Sequence, residues 1–340
     1  MMTRSRFVVF LASVVVGMGV LVAVGALYLH PARAAVGPLP GFGLALPAET
    51  RFLIGFDARR LTASPLYARF AKQRAQGRPD VFRELEEKTG LDPERDLDGV
   101  LIAGLGNAKE SGVVLVQGRF DRSKLARALE TEGKQGLTWK SHAGTTVYLF
   151  NELAKKPGAL AFLSDDTLLI GTQAAVETTL DSHAQGRESL RGNAGLMTLV
   201  EKVKPGSAFW MVGDQSLLAQ LPRSLPAPGA RRDRADGPAV SLPALKSVIV
   251  TGDVDPQLAL EIIGEASDEA AARNLADVAR GFVALVSLQA NQKPELKELA
   301  AAFSVATEAN QVRLSARIPH EVLEALRPKP AAPTPPTATK

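Results

Sequence analysis

The chain has 340 residues, a net charge of +4 and no cysteine, which excludes disulfides, thiol nucleophiles and cysteine-ligated metal centres. Hydrophobic residues make up 46% of it but aromatics only 5%, too few rings for a carbohydrate or single-stranded nucleic-acid stacking platform. Its slight excess of Arg forms no concentrated stripe, so no nucleic-acid partner is expected.

Phe7 to Leu29 carries no charge and no Pro; Ser13, Gly17, Gly19 and Gly25 are its only residues that are neither aliphatic nor aromatic. As a helix it would be roughly 35 Å long, enough for a ~30 Å hydrocarbon core. The expected anchor residues are Phe7, Val8, Val9, Phe10 and Leu11 at one end, Val20 and Leu21 in the middle, and Leu27, Tyr28 and Leu29 at the other. Arg4 and Arg6 precede the run, which keeps residues 1–6 in the cytoplasm and sends the rest across the membrane. A competing reading is cleavage near Ala34, because Ala32-Arg33-Ala34 has the small-x-small pattern of a signal-peptidase site. Residues 30–47, mostly Ala, Gly, Pro and Leu, read as a tether.

A first α+β unit is expected over 48–190. Phe52 to Phe56 is its opening strand, ending at Asp57. Ser64-Pro65 predicts a helix to about Gln76, and Asp80 a second one stopped by Thr89-Gly90. Strands follow at Val100 to Ala103 and Val113 to Val116, then a helix capped by Asp121. Hairpins are expected at 137–151, about Ala143-Gly144, and at 160–170, about Ser164-Asp165-Asp166, before a helix from Gln173. A second unit over 191–326 repeats this order. It has a strand at Ala208 to Asp214, paired strands at 245–254 and 258–266, a long helix capped by Asp268, a hairpin at 303–318 and a helix from His320. Gly118 and Gly264 fall at matching places before a helix.

Val113 to Val116 and Ala159 to Leu163 are continuously apolar, as in strands covered on both faces. Val312, Leu314, Ala316 and Ile318 alternate with Arg313, Ser315 and Arg317, marking a face open to water. Residues 222–243, rich in Pro and Arg, read as a mobile loop, and 327–340 as a disordered Pro-rich tail. The expected architecture is therefore α+β: one transmembrane helix, then two related β-α-β-β-α-β-β units. Their sheet is largely antiparallel, with helices packed on one side.

Patterns that carry chemistry fail on inspection. Glu94, Asp96, Asp98 and Gly99 imitate the opening of a calcium loop, but Leu105 stands where a bidentate carboxylate is required. Gly104-Leu105-Gly106 leads into a strand, and Lys109 replaces the third glycine of a dinucleotide motif. His320-Glu321 has Glu324 in place of the second zinc-binding His. His142 and His183 are dispersed from it, and Asp165-Asp166 reads as turn chemistry. No cofactor, metal site or catalytic residue is expected.

TGLDPERDLDGVLIAG followed by GVVLVQGRFD, spanning Thr89 to Asp121, resembles exported single-pass bacterial proteins of unknown function. The resemblance implies an envelope setting and supplies no active-site residues. The expected function is a membrane-anchored, extracytoplasmic, non-enzymatic binding or scaffolding protein. Its partners are the lipid bilayer through residues 7–29 and another envelope protein or lipid. Alternatives are a carrier of lipid or another apolar ligand, and an enzyme of unrecognised type.

Overall fold

The structure is a computed structural model describing residues 39–64, 67–68, 81–106, 111–132, 137–153, 156–186, 189–215, 224–226, 239–241, 244–254, 257–289 and 294–325. The expected anchor, the first part of the tether and the Pro-rich tail lie outside these residues. Among the described residues no helix is long and apolar enough to cross a membrane.

The first half of the chain supplies β1 (Thr50–Asp57), β2 (Leu97–Leu105), β3 (Gly112–Gly118), β4 (Leu137–His142), β5 (Thr145–Leu153), β6 (Lys156–Ser164) and β7 (Thr167–Thr172). The second supplies β8 (Phe209–Asp214), β9 (Ser224–Pro226), β10 (Ala239–Ser241), β11 (Leu245–Asp253), β12 (Leu258–Ala266), β13 (Phe303–Glu308) and β14 (Gln311–Ile318). All but β9 and β10 join one 12-stranded sheet in the order β13-β14-β12-β11-β8-β1-β2-β3-β7-β6-β5-β4, antiparallel throughout. The hairpin turns follow the sequence: Ala143 and Gly144 both take positive φ, as a two-residue turn between twisted strands requires.

The sheet repeats itself about its centre. β1 and β8 pair with Ile54 opposite Met211, Phe52 opposite Gly213 and Phe56 opposite Phe209. A two-fold axis through the Ile54–Met211 pair carries β1 onto β8, β2 onto β11, β3 onto β12 and β7 onto β14. The correspondence extends to detail. The Phe52 ring lies over Gly104 of β2, and the Phe209 ring lies over Gly252 of β11. A register irregularity falls between Leu97 and Gly99 in one half and between Leu245 and Ser247 in the other. The Gly118 amide bonds the carbonyl of turn residue Asp166, and the Ala266 amide bonds that of Asn310. Gly118 therefore matches Ala266, not Gly264 as the sequence spacing suggests. The β4–β5 hairpin is additional to the first half.

Helices cover both faces of the first half, which corrects the expectation of a single helical side. Five are α1 (Ala58–Thr62), α2 (Val81–Thr89), α3 (Pro93–Asp96), α4 (Arg122–Glu132) and α5 (Gln173–Gln185). The others are α6 (Ala194–Glu201), α7 (Glu269–Gln289), α8 (Pro294–Ala301) and α9 (His320–Ala325). Leu85, Leu125 and Leu129 of α2 and α4 pack with Phe56, Val100 and Leu168 on one face. Leu180, Leu199 and Val200 of α5 and α6 pack with Leu53, Leu101 and Leu169 on the other. Leu101 and Leu115 lose all exposure in the sheet between these layers, each burial contributing roughly 1.5–3 kcal/mol.

In the second half α7 packs on β12, β13 and β14 through Ala272 and Ala276, on the α2–α4 face. The opposite face there stays wet: Arg313, Arg317 and Glu308 are exposed, and Arg313 bonds Glu261 across the strands. One row of apolar side chains on the helix-covered α4–α7 face crosses the whole sheet. It runs from Val305 at one edge through Met211 and Ile54 to Trp139 at the other, where Trp139 is 63% exposed.

Two expected segments change character. Residues 39–47 are not tether: Gly41–Ala45 forms a 3-10 turn, Leu46 is fully buried, and Leu39 and Phe42 pack against the α5–α6 layer. Within the expected loop 222–243, β9 and β10 pair with Leu225 opposite Val240; its other residues lie outside the described set. The two expected units share one sheet, joined where β1 pairs with β8.

Asp57 ends β1 and caps α1 by accepting the Arg60 amide at 2.9 Å. Burial pushes its carboxyl above the usual carboxylate range, despite the opposing pull of Arg60 and Arg59. A raised folded-state pKa gives stability that is complete at low pH and declines as pH rises through it. Asp57→Asn keeps the cap and removes the buried charge. It should raise Tm near pH 7 and lose that advantage near pH 3, as thermal melts at the two values would read.

Candidate functional site

A cleft of about 490 Å³ opens at the turn end of β6 and β7. Three pieces of chain build it. Gly41–Ala45 forms one wall, through Phe42 and Leu44. Gln117, Leu163, Ser164, Asp166 and Thr167 form the floor where β3, β6 and β7 end. The third side follows α5, which stops because Gly186 takes φ 65 and returns its amide to the Ser182 carbonyl. The chain then bridges Ser189 to Pro47, buries Leu190 completely, and turns Arg191 outward to the cleft.

The carboxylate on the floor is engaged. Asp166 accepts Ser164 Oγ at 2.5 Å, Thr167 Oγ1 at 3.0 Å and Gln117 Nε2 at 3.3 Å. The Ser164 bond, with those from Gln117 and Thr167, holds its carboxyl below the ordinary range. This is the turn role the sequence assigns to it, and a carboxylate so held is a poor proton acceptor at neutral pH. Its contribution to stability is present above the unfolded-state pKa and is lost as pH falls through the folded one. The turn should therefore weaken below about pH 4, and Asp166→Asn should flatten that acid limb in a pH series of melts. The donors differ. Among the described residues, Arg191, His183 and the Ser189 hydroxyl make no side-chain hydrogen bond or ion pair. Of these, only the Arg191 guanidinium is a donor without acceptor capacity.

The comparisons give no guide to its use. No family model, curated protein or solved structure matches this chain.

The other sites raised by the sequence resolve into structure. Asp92 caps α3 by accepting the Glu94 amide at 3.0 Å, and Tyr67 bonds Glu94. Burial works against ionisation of Asp96, but Arg95 at 2.9 Å, the Asp92 amide and Arg119 outweigh it and hold its pKa low. Arg59 binds Asp98 at 2.5 Å. These carboxylates converge on arginines and amides, and no metal-ligating cluster occurs among the described residues. Gly104 lies beneath the Phe52 ring inside β2, and Lys109 is outside the described residues.

His142 meets Asp181 at 2.9 Å and Lys140 meets Glu177 at 2.7 Å, two contacts that clasp β4 to α5. A His–Asp pair can orient a general base, but no hydroxyl bonds His142 among the described residues, and Ser141 alternates to the other face of the sheet. His183 belongs to the cleft, and His320 begins α9. The cleft escapes sequence reasoning because Phe42 and Gln117 are far in the chain from His183 and Arg191. One wall also comes from the stretch that reads as tether.

Proposed function

We propose that this chain is a membrane-anchored extracytoplasmic protein that acts by binding. The uncharged run from Phe7 to Leu29 behind Arg4 and Arg6 is the observation that carries the location. Binding is favoured over catalysis because the cleft pairs free donors with a carboxylate already held by three hydrogen bonds. We take the matched registers about Ile54 and Met211 as the mark of an internal duplication. The test is fractionation of the intact chain with protease added to one side of the membrane. Recovery in the membrane with the body cleaved only from the outside is expected; intact chain in the cytosol would end the assignment of location.

A second reading is a carrier of lipid or another apolar ligand. Its support is the half-buried stretch of the apolar row from Ile102 through Ile54 and Met211 to Val305, on the face beside α7. Lipid co-purified with the body, and lost on Met211→Lys, would favour it over the first.

A further inference from the structure

We infer that the cleft binds a small organic anion, its carboxylate or phosphate held by Arg191 and its apolar body laid against Phe42 and Leu163. The inference rests on reading the protein as a binder and adds the chemistry of the ligand. Its ground is that the carboxylate of the cleft is engaged and its guanidinium is not. Asp166 is the carboxylate of the cleft, and three donors already satisfy it. Arg191 offers a planar fork of N–H groups with no protein acceptor among the described residues. His183 and the Ser189 hydroxyl add two more unengaged polar groups on the same side. Arg191 is exposed at the cleft, and a carboxylate or phosphate matches its geometry with two parallel hydrogen bonds, which a neutral or cationic ligand does not.

The opposite wall sets the rest of the ligand. Phe42 and Leu44 on that wall and Leu163 on the floor are apolar. They offer nothing to an inorganic ion and much to a ring or short hydrocarbon chain. A volume of about 490 Å³ suits a molecule of that kind and is too small for a folded partner.

The test uses the full chain in detergent micelles, titrated calorimetrically with benzoate, phenyl phosphate and benzyl alcohol at a fixed ionic strength of about 0.15 M. One of the two anions should bind, identifying the head group, and benzyl alcohol should not. Arg191→Gln should weaken that binding about tenfold or more. Gly41 has open space where a side chain would go, so Gly41→Trp can fill the cleft without disturbing the backbone and should abolish binding. Arg280→Gln, on exposed α7, controls for general charge and should change nothing. Absence of binding by both anions at about 10 mM, equal binding of benzyl alcohol, or affinity in Arg191→Gln within about twofold of the parent would each overturn the inference. The fractionation described above is read separately. Chain found in the membrane with no anion bound removes the ligand assignment alone, and chain found in the cytosol removes the location alone.

Discussion

Gly118→Ala should cost about 3 kcal/mol and lower Tm by roughly 5–10 °C, a large effect for one methyl group. A Cβ at this position would stand 2.3 Å from the Asp96 carbonyl oxygen. That oxygen also accepts the Arg119 amide at 2.7 Å, and α3 fixes it in place, so neither partner can withdraw. The matching site in the second half is Ala266, which is fully buried, so the β-strand itself tolerates a side chain here. The requirement for glycine comes from the α3 turn, a feature of the first half. Gly104→Ala makes a useful contrast. Its Cβ would fall 1.9 Å from the Phe52 ring, but that ring is half-buried and can swing away. The expected cost is about 1 kcal/mol, and it should largely vanish in a Phe52→Leu background, which a double-mutant cycle would read. A Gly118→Ala protein within about 0.5 kcal/mol of the parent would show that α3 does not pin the end of β3.

Asn193→Ala should remove about 2–3 kcal/mol, because one side chain serves three backbone groups. Its Nδ2 donates to the Ala48 and Thr50 carbonyls at 2.8 Å each, and its Oδ1 accepts the Leu196 amide at 3.0 Å to cap α6. It therefore ties the start of β1 to the helix that precedes β8. Asn193→Asp separates the two jobs. It keeps the cap and loses both donations, setting a carboxylate against two carbonyl oxygens, so it should be no better than Ala near neutral pH despite its near-identical shape. Chemical denaturation of the three proteins decides the matter. An Asn193→Asp protein as stable as the parent would mean that the cap alone counts.

Much of the sheet is legible in the sequence because its cues are local. The 303–318 hairpin follows from alternation, the Ala143-Gly144 turn from its glycine, and the α4 and α7 starts from Asp121 and Asp268, whose side chains accept the Lys124 and Ala271 amides. What failed depends on long-range contact. Residues 39–47 lack any period, and only burial of Leu46 against the α5–α6 layer orders them. Coverage of both faces was legible in Val113 to Val116, whose side chains alternate between the two cores, but the helices that supply the second layer were not. α6 and α8 carry short apolar patterns that the surrounding strands overshadow. The cleft depends on all of these at once: a tether that is a wall, a helix end set by Gly186, and a lone Arg191 after it.

The central β1–β8 joint has a consequence for how the molecule is made. Its strands are about 150 residues apart in the chain, so the pairing that unites the sheet is among the most non-local in the fold and should be slow to form. During synthesis at ~5–20 residues per second, β1 is complete roughly 10–30 seconds before β8 exists. Throughout that interval the newborn first half presents a long, naked strand with Leu53 and Phe56 ready for any other chain. Truncated products ending before Phe209 should therefore aggregate through β1, and in products that end just after β8 the unpaired edge moves to β8, which only β11 covers.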